Sequence, residues 1–139
     1  MAGQIVGICP AAYAVERERK RTALVIANWG GHKSDPAAGQ FIKDLARRLG
    51  DTPDRDVLVA PPASGLRPAI EAARGTKICI ACQDVAAGTG QADSRVAPSS
   101  ILGNLGVTAA LIGHRERRRQ ANEDDPAVSK KVRQALAGC

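Results

Sequence analysis

Four short apolar runs, each followed by a stretch with helical periodicity, constrain the fold of this chain more than any other feature. The runs are TALVIAN (22–28), DVLVAPP (56–62), TKICIACQD (76–84) and VTAALIGH (107–114). Continuous apolar runs of this kind indicate strands that are buried on both faces. Strands that alternate with helices lie parallel and are joined by right-handed crossovers. The sequence therefore predicts an α/β fold of four β-α units, either a doubly wound sheet or a (β/α) barrel.

The segments between these runs carry helix signals. In SDPAAGQFIKDLARRLG (34–50), Ser34 or Asp35 can cap the first turn and Pro36 suits it. One face of that helix bears Phe41, Ile42, Leu45 and Leu49. A weaker helix is predicted over 65–75, a short one within 97–106, and a last one within 124–139. The apolar stripe of the last helix comprises Val128, Val132 and Leu136.

The charge of the chain does not predict a nucleic-acid partner. The net charge is +6, concentrated in ERERKR (16–21) and RERRR (115–119), and both runs contain glutamates. The chain has one Tyr, one Trp and one Phe, and none stands among these basic residues. We expect the two runs to be solvated loops or helix ends that bind no nucleic acid.

The cysteines predict no metal or disulfide framework. Cys79 and Cys82 form a C-x-x-C motif inside a predicted strand, where residues three apart point to opposite faces. No glycine-rich dinucleotide or phosphate loop follows a predicted strand, so we expect no cofactor. Reduced thiols in a cytoplasmic protein are the expectation.

The first 21 residues are expected to lie outside a domain that spans 22–139. Their apolar patch is interrupted by Pro10 and lacks a preceding basic segment. We therefore expect neither a signal peptide nor a membrane anchor here. This extension is expected to be disordered, with the alternative that it shields an edge of the sheet.

Three polar residues stand at the ends of predicted strands, where parallel α/β folds place their functional groups: Asn28, Gln83 and His114. A histidine that leaves a strand for the start of a helix can stay neutral and donate to a carbonyl oxygen. Glu116 could act as a general acid or base, or pair with the arginines around it. Spacing alone leaves structural roles open for both His114 and Glu116.

The segments LVIANW, GNLGVTAALIGHRERR and NEDD, in this order, resemble the first half of triosephosphate isomerase. In that family one strand ends in Asn-Trp-Lys, and a later strand ends in Gly-His-Ser-Glu-Arg-Arg, followed by Gly-Glu-Ser/Thr-Asp. The resemblance covers about residues 22–138. It implies half of a TIM (β/α)8 barrel, with about four strands and four helices.

The resemblance implies roles for three residues. Asn28 matches the asparagine that contacts the substrate. His114 matches the neutral histidine that polarises the substrate carbonyl, for which this family is the standard example. Glu116 matches the glutamate of the same motif, which supports the site from behind the substrate-contacting groups. The implied reaction is the interconversion of dihydroxyacetone phosphate and glyceraldehyde 3-phosphate in glycolysis and gluconeogenesis, by a homodimer without a cofactor.

The sequence also departs from the family pattern. Gly30 replaces the lysine, and Lys33 lies three residues further on. Loss of one such electrostatic group typically costs about 10²–10³ in rate. Further replacements occur at Ser94, Val96, Arg115, Ala121 and Asn122. The glutamate base and the phosphate-gripping loops of the family belong to the second half of its barrel, so we expect this chain to be inactive alone.

A half barrel would have open edges at its first and fourth strands, and the inward apolar layer would lack its partner. We therefore expect self-association or pairing with a complementary half barrel. The alternative function is that of a noncatalytic half-barrel module that binds a partner or an anion.

Overall fold

The fold is given by a computed structural model, which describes residues 4–7, 22–30, 35–88 and 96–137. The strands are β1 (Gln4–Gly7), β2 (Ala23–Asn28), β3 (Arg55–Ala60), β4 (Ile78–Cys82) and β5 (Ala109–Ile112). The α-helices are α1 (Asp35–Leu49), α2 (Leu66–Ala73), α3 (Ser99–Leu105), α4 (Arg115–Ala121) and α5 (Asp125–Ala137). A 3₁₀ turn over Ala63–Gly65 precedes α2.

The strands form one sheet in the order β1-β5-β4-β3-β2. The strands β2 to β5 are parallel to their neighbours, whereas β1 is antiparallel to β5. The parallel part matches the four predicted apolar runs, with strands shorter than those runs at one or both ends. The predicted α/β fold of half a TIM barrel is therefore confirmed, with one antiparallel strand added.

The side chains of the parallel strands alternate between two apolar layers, as the pleat of a strand requires. One layer packs against the helices and includes Val59, Ile80, Cys82, Ala110 and Ile112. The opposite, inward layer consists of Leu58, Ala60, Ala81, Ala109 and Leu111, with Ile26 and Cys79 packed against it. The C-x-x-C motif thus places Cys79 and Cys82 on opposite faces, as predicted.

Two expectations need correction, one about the open edge at the fourth parallel strand and one about the inward apolar layer. The fourth parallel strand, β5, is not an open edge, because β1 pairs with it from Gln4–Ile112 to Gly7–Ala109. The inward layer is buried, with no member more than 7 % exposed. In the described part of the sheet the other end is β2, where Leu24 and Val25 are 43 % and 50 % exposed.

Four of the described α-helices follow their predicted positions, whereas α4 was not predicted as a helix. The basic run at 115–119, expected to be solvated, lies in α4, and its Arg117 is largely buried in ion pairs described below. In α5 the buried residues are Val128, Lys131 and Ala135, whereas Leu136 is 58 % exposed. The predicted stripe is therefore correct at Val128 and at Val132, which packs against the core, and wrong at Leu136. Lys131 was not expected to be buried, and its ion pairs with Asp84 and Glu123 account for its inward position. None of the described helices is both long and apolar enough to span a bilayer.

Gly113, between β5 and α4, is required by both conformation and space. Its φ is +68°, and a Cβ there would lie 2.9 Å from Cγ1 of Val128. We expect Gly113→Ala to lower the free energy of unfolding by about 2–3 kcal/mol, through left-handed strain plus overpacking. Urea denaturation would measure it. The matched control is Gly75→Ala. The φ of Gly75 is +74° and a Cβ there would have no atom within 4 Å, so this substitution introduces the backbone strain without the overpacking. Equal losses at the two positions would contradict the packing argument.

Candidate functional site

The C-terminal ends of the parallel strands border a cleft of about 840 Å³. Its lining includes Gly30 after β2, Gln83 after β4, and His114 and Glu116 after β5. Parallel strands bring their carboxyl ends to one edge of the sheet, which is why residues from separate β-α units meet here. The cleft therefore brings together three of the four candidate residues, Gln83, His114 and Glu116, whereas Asn28 does not line it.

The turn after β2 is held in place by three contacts. The Trp29 amide donates a hydrogen bond to the carbonyl of Ala60 at 3.1 Å. The Trp29 and Phe41 rings pack edge to face, with their centroids 4.7 Å apart. Oδ1 of Asn28 accepts a hydrogen bond from the Gly30 amide at 3.2 Å. Asn28 is exposed and is not among the residues that line the cleft. It borders the site through Gly30, the residue that the cleft and the turn share.

Gln83 joins three strand ends. Its Nε2 donates to the carbonyl oxygens of Gly30 and Ala60, both at 2.9 Å. One side chain after β4 thus ties the turn after β2 to the end of β3. The sequence had identified Gln83 only as a polar residue at a strand end, and its partners lie in other β-α units. We infer that Gln83 sets the position of Gly30 relative to the rest of the cleft.

His114 occupies the N-cap position of α4, with extended backbone angles. Its carbonyl accepts a hydrogen bond from the Arg118 amide at 3.0 Å, which closes the first turn of the helix. The half-buried side chain lines the cleft. Glu116, two residues on, is exposed, and its Oε1 accepts from Nε2 of Gln120 at 3.0 Å. The fold therefore places His114 where a strand end meets a helix start, as predicted.

In one wall of the cleft, four largely buried charged side chains form a closed network, and two of them, Asp84 and Arg117, line the cleft. Oδ2 of Asp84 contacts Nε of Arg117 at 2.7 Å and Nζ of Lys131 at 2.5 Å. Oε1 of Glu123 contacts the same two nitrogens at 3.0 and 2.6 Å. Each cation therefore contacts both carboxylates, and the network joins the loop after β4 to α4 and α5. Sequence reasoning missed this network, and its one local signal is a lysine on the inward face of α5.

Candidate metal ligands are not clustered within the described ranges. In the part of the chain that the structure describes, no group of three or more His, Cys, Asp or Glu side chains is placed to hold a metal ion.

Comparison with known proteins assigns the family of this arrangement. The family model described as triosephosphate isomerase matches residues 23–138. The chain belongs to the triosephosphate isomerase family. Among its relatives, the triosephosphate isomerase of Roseiflexus sp. (strain RS-1) is 38 % identical over 117 residues, covering 84 % of this chain and 46 % of the relative. Those of Roseiflexus castenholzii and Symbiobacterium thermophilum are 37 % and 32 % identical, covering 84 % of this chain and 46 % and 45 % of the relatives.

This chain thus spans about half the length of the triosephosphate isomerases that it matches. The matched range begins at β2 and includes the cleft, His114 and the buried network. The strand β1 lies outside it. The similarity therefore accounts for the parallel half barrel and leaves the antiparallel strand unexplained.

Removal of one cation from the buried network is expected to destabilise the fold, because the remaining buried carboxylates lose countercharge. Lys131→Met keeps an unbranched apolar side chain of similar length and removes the charge. We expect a loss of about 3 kcal/mol in the free energy of unfolding, because Asp84 and Glu123 would share one remaining cation. Chemical denaturation measures the loss. The matched control is Lys130→Met on the exposed neighbour, where we expect a change within about 0.5 kcal/mol. A similarly small change at Lys131 would contradict the role of the network.

The thiol of Cys82 makes the stability of the fold depend on alkaline pH. Burial raises the pKa of Cys82 to about 12. An unfolded thiol ionises near about 8.5, so only the unfolded state releases this proton as the pH rises from there toward 12. This contribution to stability is therefore complete below pH 8 and falls by at most about 1.4 kcal/mol per pH unit above pH 9. Unfolding at pH 8, 9 and 10 should show a shallower decline for Cys82→Ala than for the unsubstituted chain. Parallel declines would contradict the assignment.

Proposed function

We propose that this chain supplies the carbonyl-polarising half of a triosephosphate isomerase site. The observation that carries the proposal is the position of His114, which lines the cleft from the N-cap of α4 at the end of β5. The proposed substrates are the triose phosphates dihydroxyacetone phosphate and glyceraldehyde 3-phosphate. The family membership and the order of the Asn-Trp and Gly-His-x-Glu-Arg-Arg motifs support the same assignment.

The proposed chemistry uses His114 as a hydrogen-bond donor to the substrate carbonyl. Polarising this oxygen stabilises the negative charge that develops when a proton leaves the adjacent carbon. Asn28 uses its Oδ1 to accept from Gly30, which leaves the amide NH₂ to donate to a substrate oxygen. Glu116 supports α4 at the rim of the cleft through its hydrogen bond with Gln120. The role of His114 is supported by its position in the cleft and by the family motif, and that of Asn28 by the motif and by its contact with Gly30.

The proton itself has to be taken by a base. The family resemblance assigns that role to a glutamate of the second half of the barrel, which these 139 residues do not include. We therefore propose that the half barrel is inactive alone and works with the remaining β-α units, whichever polypeptide carries them. Gly30 borders the cleft where the family has its lysine, so the proposed turnover is low even in the assembled barrel.

The remaining parts of the proposal concern organisation. We propose a half-barrel domain over 22–139 with an N-terminal extension over 1–21, and a cytoplasmic location as for a glycolytic and gluconeogenic enzyme. A dimer is proposed from the family alone. No observation among the described residues favours the alternative of a noncatalytic interaction or anion-binding module.

The test is isomerisation of dihydroxyacetone phosphate, followed by oxidation of the glyceraldehyde 3-phosphate that forms. The purified chain is assayed alone, and after mixing with a polypeptide that comprises the second half of the Roseiflexus sp. (strain RS-1) enzyme. We expect activity in the mixture above that of either component. A folded mixture that binds but does not turn over substrate would contradict the proposal.

A further inference from the structure

The antiparallel strand β1 occupies the edge of the sheet at which the half barrel would continue. Its four residues pair with all four residues of β5, in a register that runs from Gln4–Ile112 to Gly7–Ala109. The helix α5, which follows β5 in the chain, contacts both β5 and β1. Although β1 and β2 are consecutive in the chain, they lie at opposite ends of the sheet. Because β1 also lies outside the residues that match the family, the barrel architecture does not account for it.

The position of β1 is incompatible with a closed barrel. In a (β/α)8 barrel each strand has a parallel neighbour on both sides. The strand β5 has β4 as its parallel neighbour on one side, and the antiparallel β1 on the other. The backbone groups of β5 that face β1 can pair with only one strand at a time. A parallel strand from a further β-α unit can therefore join the sheet at β5 only after β1 has left.

We propose that β1 is a displaceable plug, which covers the edge of β5 until a complementary half barrel supplies a parallel strand in its place. The inference rests on the proposed function, because it takes the second half of a triosephosphate isomerase barrel as the partner. The site regulated is the assembly edge, and the regulating segment is the chain's own N-terminal strand. In the unassembled state the plug keeps the donors and acceptors of β5 paired and protects this edge from nonspecific strand addition.

The length of β1 suits a plug that can be removed. Four residues make a short ladder, and each of its hydrogen bonds contributes modestly because water replaces it when the strand leaves. A barrel strand that brings its own helix buries additional apolar surface, which β1 cannot match. Displacement should therefore be favourable for a complementary half barrel, with an affinity reduced by the cost of removing β1.

The first experiment uses the unsubstituted full chain and amide hydrogen exchange. The probe is the second-half polypeptide of the Roseiflexus sp. (strain RS-1) enzyme. In the free chain we expect protection of the Gln4–Gly7 amides. We also expect protection of the β5 amides that face β4 and of those that face β1. When the probe binds, the amides of β5 should stay protected while those of Gln4–Gly7 lose protection. Retained protection of Gln4–Gly7 in the complex would overturn the inference.

The second experiment weakens the plug. Two consecutive residues of β1 cannot both point their amides away from β5, so Ile5→Pro/Val6→Pro removes at least one donor to the ladder. We expect this variant to bind the probe on the order of tenfold more tightly, since little ladder remains to be displaced. The matched control is Ala11→Pro/Ala12→Pro, which places two prolines in the same extension beyond β1. Protection of the β3 and β4 amides verifies that both variants are folded.

The outcomes separate this inference from the proposed function. Equal affinities for the plug variant, the control and the unsubstituted chain would overturn the plug, as would failure of all three to bind the probe. Tighter binding by the plug variant with release of β1, but without isomerase activity in the complex, would support the plug and contradict the proposed function.

Discussion

His114→Gln is expected to lower the kcat of the complemented isomerase by about 10²–10⁴-fold, the range typical for loss of a positioned proton donor or acceptor. The half-buried imidazole lines the cleft from the N-cap of α4, the point at which β5 ends. Glutamine keeps an amide donor but cannot place it where the ring nitrogen lies. Because the polarising group acts on developing charge, kcat should fall much more than KM rises.

The matched control for this substitution is Arg119→Ala, on the exposed side of the same helix and outside the cleft lining. It changes the charge of α4 without removing a group from the cleft. Steady-state kinetics of both variants, each mixed with the second half of the barrel, measures the difference. A kcat for His114→Gln within threefold of the control would contradict the role proposed for His114.

Gly30→Lys is expected to raise kcat/KM of the same assembly by about 10²–10³, the usual value of one preorganised electrostatic group at a reacting centre. Gly30 lines the cleft together with His114, so a cation here can approach the phosphate and the developing oxyanion. The substitution has a conformational cost, because Gly30 has a φ of +57°. We expect the free energy of unfolding to fall by about 1–2 kcal/mol.

Gly30→Met separates charge from conformation. Methionine brings the same left-handed strain and a side chain of similar length without the ammonium group. Its stability should match that of Gly30→Lys, whereas its kcat/KM should stay near that of the unsubstituted chain. Equal activity of the lysine and methionine variants would show that the missing cation is not what limits turnover.

The local pattern of apolar residues was sufficient to predict most of the strands and helices. The four apolar runs became β2 to β5, and the helix predicted from Pro36 to Leu49 is α1, with Ile42 fully buried and Gly50 directly after it. These elements are set by residue spacing within a single segment, so their signals can be read from neighbouring residues. Even the placement of His114 at a strand end followed from the length of one apolar run.

The predictions failed where a partner lies far away in the chain. The basic run at 115–119 was expected to be solvated, but Arg117 pairs with Asp84 and Glu123. The apolar stripe of α5 was extended to Leu136, which is exposed, whereas the burial of Lys131 was not predicted. Asp84, the partner of Lys131, is 47 residues away along the chain, so no local period could reveal it. Gln83 likewise depends on carbonyls from two other β-α units.

The sequence by itself determined the order of the β-α units, the alternation of the two apolar layers and the family motifs at the strand ends. Each of these depends on side-chain spacing within a few turns or one pleated run. The tertiary structure alone decided the ion pairs in the wall of the cleft and the strand that covers β5. Burying a charge requires its countercharge in contact, and an edge strand is covered by whichever segment reaches it. Both conditions are met only when distant parts of the chain come together.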